Sequence, residues 1–94
     1  METNDLAQTR DSVADSIRDY LSHNFLFSER GFEYGDDASF LEHGIVDSFG
    51  FAELLNWVEE KFSISVADDE IVPDNFDSVS KLTAFILAKQ TGGA

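Results

Sequence analysis

Ser48 is the side chain best placed to do chemistry in this chain. It stands in the run Gly44-Ile45-Val46-Asp47-Ser48-Phe49-Gly50-Phe51-Ala52-Glu53-Leu54-Leu55, where a short apolar loop gives way to an amphipathic helix. Counting from Phe51, apolar residues fall at 51, 54, 55, 58 and 62, the i, i+3, i+4, i+7, i+11 spacing of one helix face. Asp47 and Ser48 both suit the N-cap, and Gly44 supplies a turn before them. A hydroxyl at a helix start is exposed, beside backbone N–H groups that lack helical acceptors and at the positive end of the helix dipole. An anion attached to it, such as a phosphodiester, would be held favourably. The plainer reading of such a serine is an ordinary cap.

Other constellations are weaker. His43 lies near Ser48 and acids abound, but the pattern offers neither an oxyanion hole nor a substrate pocket, which argues against a Ser-His-Asp hydrolase. His23 and His43 read as polar helix-end or loop residues. Asp68-Asp69-Glu70 lacks the alternating acids and central glycine of a calcium loop, and no metal site is expected.

The elements that must position Ser48 follow from the spacing of apolar residues. Leu6, Val13, Ile17, Tyr20 and Leu21 predict a first helix from about Asp5 to His23, with Arg10, Asp15 and Asp19 on its polar face. A long connection from about Asn24 to Val46 follows, broken by Gly31, Gly35 and Asp36-Asp37. A loop of that length needs packing to persist in a small domain. Phe25, Phe27, Phe32, Phe40 and Leu41 are expected to pin it to the core, with a short helical turn around Ala38 to Glu42. The second helix is predicted from Ser48 to about Lys61. At 100° per residue its core face is Phe51, Leu54, Leu55, Val58 and Phe62, with Trp57 at the edge, and its outward face is Phe49, Glu53, Asn56 and Glu60. Ile64 and Val66 then form an extended link, and Asp68-Asp69-Glu70 a solvated turn. Pro73 opens a short helix ending near Phe76. Asp77 is expected to cap a last helix with Val79, Leu82, Thr83 and Ile86 inward and Lys89 near its negative pole. No strand alternation survives a count. The expectation is an all-α bundle of three main helices and one short one, with a long first loop. It would form one domain over 1–94, ordered from about 5 to 90 and frayed at 91–94.

Composition narrows the function. Nine phenylalanines, one tryptophan and 43% hydrophobic residues suffice for a core in 94 residues. Without cysteine there is no disulfide, thiolate metal site or cysteine nucleophile, so any thiol chemistry needs a cofactor that brings the thiol. Nineteen acidic against six basic residues give a net charge of −13, which repels nucleic acid and anionic membranes and attracts basic surfaces. No apolar run reaches spanning length, and Met1-Glu2-Thr3-Asn4-Asp5 lacks the basic and apolar regions of a signal peptide, so a cytoplasmic protein is expected.

Asp47-Ser48, followed by an apolar residue and a helix reading Glu53-Leu54-Leu55, resembles the 4′-phosphopantetheine attachment site of acyl carrier proteins. Phe62-Ser63-Ile64-Ser65-Val66 and Pro73-Asp74-Asn75-Phe76-Asp77-Ser78-Val79 are similar to the second half of such domains, so the likeness runs from about Phe40 to Leu87. The resemblance implies an acyl-carrier-like bundle that is not itself an enzyme. A phosphopantetheinyl transferase would move 4′-phosphopantetheine from coenzyme A onto Ser48, with Asp47 supporting transferase recognition and metal binding. The arm would hold an acyl or aminoacyl group as a thioester. Further partners would be a loading ligase and downstream acyl-transfer enzymes with basic docking surfaces, met through Phe49, Glu53, Asn56 and Glu60. No nucleic acid or membrane partner is expected, and the protein is expected to be a monomer.

The site also departs from common patterns of that family. Fatty-acid carriers commonly show Asp-Ser-Leu-Asp, where this chain has Asp-Ser-Phe-Gly. Peptide-synthetase carriers commonly place Gly-Gly-His or Gly-Gly-Asp before the serine, where here Gly44 stands three residues further off. His43-Gly44-Ile45-Val46-Asp47-Ser48 with Gly50 is closer to free-standing carriers such as the D-alanyl carrier protein, and Gly50 removes a carboxylate that other partners could read. Fatty, polyketide and amino-acid cargoes stay open. So does a second class of function: an acidic helical binding module, or degenerate carrier, that docks on a basic partner unmodified.

Overall fold

A computed structural model describes residues 9–91. Helix α1 (Arg10–Leu21) begins at Thr9, whose hydroxyl accepts from the Ser12 amide at 3.0 Å while the Ser12 hydroxyl accepts from the Thr9 amide at 3.1 Å. This reciprocal cap satisfies two donors that a helix start otherwise leaves free. Val13, Ala14, Ile17 and Leu21 bury one stripe of the helix. The part of the expected first helix before Thr9, with Leu6, lies outside the described residues, as does the tail beyond Thr91.

The helix does not stop at His23. It widens into a π-helical turn, Ser22–Leu26, closed by Phe27 in the left-handed conformation (φ 50°). Phe25 and Leu26 pack against the core, but Phe27, at the cap that ends the turn, is 80% exposed. Leu41 also fails to pin the loop, because Phe40 beside it takes the buried place. Residues 40–44 form turns, and the Ser39 carbonyl accepts from the His43 amide across one helical turn, while the Ser39 hydroxyl accepts from the Glu42 amide and the Phe40 carbonyl from the Ile45 amide.

What holds the long connection is polar as well as apolar. The Arg18 guanidinium donates to both Asp36 oxygens, at 2.9 and 2.7 Å. The Asp36 carbonyl takes the Ser80 amide, and the Asp77 carbonyl takes the Phe40 amide. The Asp77 carboxylate accepts from the Leu41 amide at 3.0 Å and from the Ser39 hydroxyl. Asp77 is therefore not the cap of the last helix. Its carboxylate belongs to the loop, and Ser78 caps instead, accepting from the Lys81 amide at 3.0 Å.

Helix α2 (Ser48–Phe62) ends at Ser63 in the left-handed conformation. A 3₁₀ turn, Asp68–Glu70, leads to the short α3 (Pro73–Phe76) and to α4 (Val79–Gln90). Asp68 and Asp69 are solvated as expected, but Glu70 is half-buried and pairs with Lys89 at 2.9 Å. Lys89 lies in the last turn of α4 as expected, and from there it also makes this contact. Both α1 and α3 pack on α4, and α2 joins them through Leu54, Val58 and Phe62 in one core with Phe40, Phe76, Leu82 and Ile86. The molecule is the all-α bundle that the apolar spacing predicts, and no strand forms among the described residues. No helix among them is long and apolar enough to cross a membrane.

Candidate functional site

The start of α2 is held from both sides. Before it, Ile45 and Val46 are buried, 4% and 1% exposed, which anchors the chain just where it must emerge. Gly44 takes φ +66°, a left-handed turn that costs glycine little and other residues more. Asp47 is extended, and its carboxylate accepts the Gly50 amide at 2.7 Å while its carbonyl accepts the Phe51 amide at 2.9 Å. Of the two candidate caps, Asp47 takes the role. Ser48 becomes the first helical residue, exposed to solvent.

This arrangement leaves the amides of Ser48 and Phe49 without an acceptor in the helix. The fifteen residues of α2 align their peptide dipoles behind them. An exposed hydroxyl in that position fits an attached phosphodiester, since the free amides and the dipole both favour negative charge. The Asp47 carboxylate is turned onto the Gly50 amide. His43 is exposed and lies against the Tyr34 ring, 5.2 Å between centroids, and among the described residues no hydrogen bond joins it to Ser48. The serine has no base of its own.

Gly50 is a feature the sequence underplayed. It is buried, and a Cβ built on it would lie 2.5 Å from Cε1 of Phe25. The π-helical turn has brought Phe25 onto the first turn of α2, where a side chain at position 50 would stand. Phe25 meets Tyr20 edge-on at 5.8 Å, Tyr20 stacks on Trp57 at 4.2 Å, and Trp57 meets Phe62 edge-on at 5.5 Å. These aromatic contacts brace α2 against α1 along its length. Burial, and then the nearby Glu53 carboxylate, push the Tyr20 hydroxyl pKa up. A glycine inside a helix was the signal that something presses on that position.

The expected outward residues share one face. Phe49 is 87% exposed, and Glu53, Asn56 and Glu60 are exposed along the same side of α2. Leu54, Val58 and Phe62 are buried opposite, with Phe51, Leu55 and Trp57 half-buried at the flanks. The structure therefore sets a serine, a bare phenyl ring and two carboxylates on a single accessible surface.

No curated protein matches the chain. The sequence model of the family described as "Phosphopantetheine attachment site" matches residues 30–86, more than half of the chain and a span that includes all of α2, α3 and most of α4. The chain belongs to that family, the acyl carrier proteins, whose domains carry covalently attached 4′-phosphopantetheine and are not themselves catalysts.

Proposed function

We propose that Ser48 is the hydroxyl that carries the phosphopantetheine, and that these residues act as a single carrier domain. Membership of the family supplies the cofactor, and the observation that carries the assignment is the exposed Ser48 at the start of α2, inside the matched span. When attached, the group supplies a thiol that holds cargo as a thioester. The residues of the chain do the positioning. Asp47 fixes the first turn through Gly50, the Ser48 and Phe49 amides face the phosphate, and buried Ile45 and Val46 keep the approach rigid.

Carrier domains of this family generally meet a phosphopantetheinyl transferase and acyl-handling enzymes. On our reading, Phe49 enters an apolar socket on those enzymes while Glu53 and Glu60 face basic residues, with Asn56 between. Such charge complementarity sets encounter rate and orientation more than final affinity. The resemblance of His43–Ser48 to D-alanyl carriers supports an aminoacyl group, beside fatty and polyketide acyl groups, as candidate cargo.

Intact mass after incubation with coenzyme A, magnesium and a broad-specificity transferase tests the assignment. One phosphopantetheine on the wild type and none on a folded Ser48→Ala variant is the expected result. Modification that persists in Ser48→Ala would move the site elsewhere. No addition with several transferases would favour an acidic binding module or a degenerate carrier.

A further inference from the structure

The way from Ser48 into the core is closed by aromatic rings. One turn along α2, Phe51 meets Phe76 edge-on at 6.2 Å, and Phe76 meets Phe85 of α4 at 5.1 Å. On the other side of the first turn, Phe25 lies against Gly50. Behind these rings Leu54, Val58, Leu82 and Ile86 are wholly buried, so no water molecule could touch them from outside or from a void within. No water-sized space opens onto these four side chains.

Opening that space would require α3 to move, because α3 carries Phe76, itself 1% exposed. Both ends of α3 are tied. At its C-terminal end Asp77 binds the Phe40 amide, the Leu41 amide and the Ser39 hydroxyl. At the other end the Asn75 side-chain amide donates to the Glu70 carbonyl at 2.9 Å. Lys89 of α4 holds the Glu70 carboxylate at 2.9 Å and lies over the Phe85 ring at 5.8 Å. A tethered chain entering here would have to displace a buried ring and break contacts on both sides of it.

We propose that this seam stays shut in the loaded carrier, so that the cargo rides outside the bundle. Phe76 is then the residue that sets a preference for small or polar cargo, an aminoacyl or short acyl group, over a long alkyl chain. A polar or short group loses little by staying in water. A long alkyl chain needs apolar cover, which the filled core does not give.

The inference rests on Ser48 as the attachment point, and its test separates the two. The transferase loads the wild type from acetyl-, alanyl- and octanoyl-coenzyme A, and mass confirms each product. Methyl resonances of Leu54, Val58 and Ile86 and the melting temperature are then compared. Unmoved methyls and the same melting temperature for all three forms are expected. Core shifts and a raised melting temperature in the octanoyl form alone would overturn the proposal. In Phe76→Ala, or in the milder Phe85→Leu if the first does not fold, octanoyl-specific core shifts should appear, and their absence would remove Phe76 from the role. If the transferase adds nothing, the Ser48 assignment falls. The seam is then read with Ser48→Cys in this cysteine-free chain, alkylated by an octyl iodoacetamide whose linker has the length of pantetheine. Unmoved core methyls support a shut seam, and moved ones overturn it.

Discussion

Gly50→Ala should destabilise this protein although it places a better helix former inside a helix. The intrinsic gain from replacing a helical glycine by alanine is about 0.5–1 kcal/mol. Against it, the new Cβ would lie 2.5 Å from Phe25 Cε1 and 3.2 Å from Asp47 Oδ1, too close for either neighbour to stay in place. Overpacking of this kind costs about 1–3 kcal/mol. The net loss is therefore about 1 kcal/mol, within a range of roughly 0–2.5 kcal/mol, and about 1 kcal/mol is a fall in melting temperature of about 4–8 °C for a domain this small. In a Phe25→Ala background the clash with the ring is gone and only the 3.2 Å approach to Asp47 Oδ1 is left, so the same substitution should cost less or become neutral. Urea unfolding of the four proteins, followed by far-UV circular dichroism and Trp57 fluorescence, gives the cycle, with a coupling of about 2 kcal/mol expected. Equal effects of Gly50→Ala in both backgrounds would refute the contact. Gly50→Asp carries the same conflict in larger form and would recreate Asp-Ser-x-Asp at the site. The glycine is thus dictated by the aromatic loop, not by the surface alone.

Removal of the α2 cap by Asp47→Ala should lower stability by about 1 kcal/mol in urea unfolding, and Asp47→Asn, which keeps an acceptor, by less. Asp77→Ala leaves the Leu41 amide and Ser39 hydroxyl without their acceptor, and about 2–3 kcal/mol should be lost, with faster hydrogen exchange of residues 39–41 as the local sign. Acid should weaken the fold through two carboxyls. The hydrogen bonds from Arg18 hold Asp36 below its ordinary pKa, and the Ala67 amide followed by Lys89 does the same for Glu70. A carboxyl depressed in the folded state stabilises it above the unfolded pKa of about 4, and that contribution is lost as pH falls through the lower folded value. Asp36→Asn should therefore cost about 1 kcal/mol near neutrality and flatten the acid limb of a stability–pH curve; an unchanged limb would show that the pair does not form in solution. On the proposed docking face, Phe49→Ala should leave stability within about 0.5 kcal/mol while slowing transferase modification. Glu53→Gln with Glu60→Gln should instead reduce the salt dependence of that rate.

The helices were legible because their signals are local. The apolar stripe of α2, its Asp47 cap and the proline at the start of α3 are set by neighbours a few positions away. The misreadings share a cause, which is competition between distant groups. Asp77 and Ser78 were both competent caps, and only the presence of Ser39 and Leu41 across the fold decides that Asp77 serves the loop. Lys89 lies in the last turn of α4 as its position implied, but its contact with Glu70, nineteen residues away, could not be read locally. Phe25 and Phe27 look alike in sequence, yet the π-helical turn sends one onto Gly50 and the other into water. The serine was legible for the opposite reason. Its exposure needs only a helix start, and everything that defines that start lies within six residues of it.

The two halves of the site use different physics, and this explains why it tolerates an unusual sequence. What favours an anion on Ser48 is backbone: two free amides and a helix dipole, which any residues at positions 49 and 50 would provide. What a partner would read is side chain: Phe49, Glu53 and Glu60 on the outward face. On the proposed reading, glycine at position 50 therefore leaves the attachment chemistry to the backbone, and it lets Phe25 lie against the first turn from behind. If Ser48 carries the arm and the seam behind it stays shut, a carrier of this kind would suit partners that take cargo from outside the bundle.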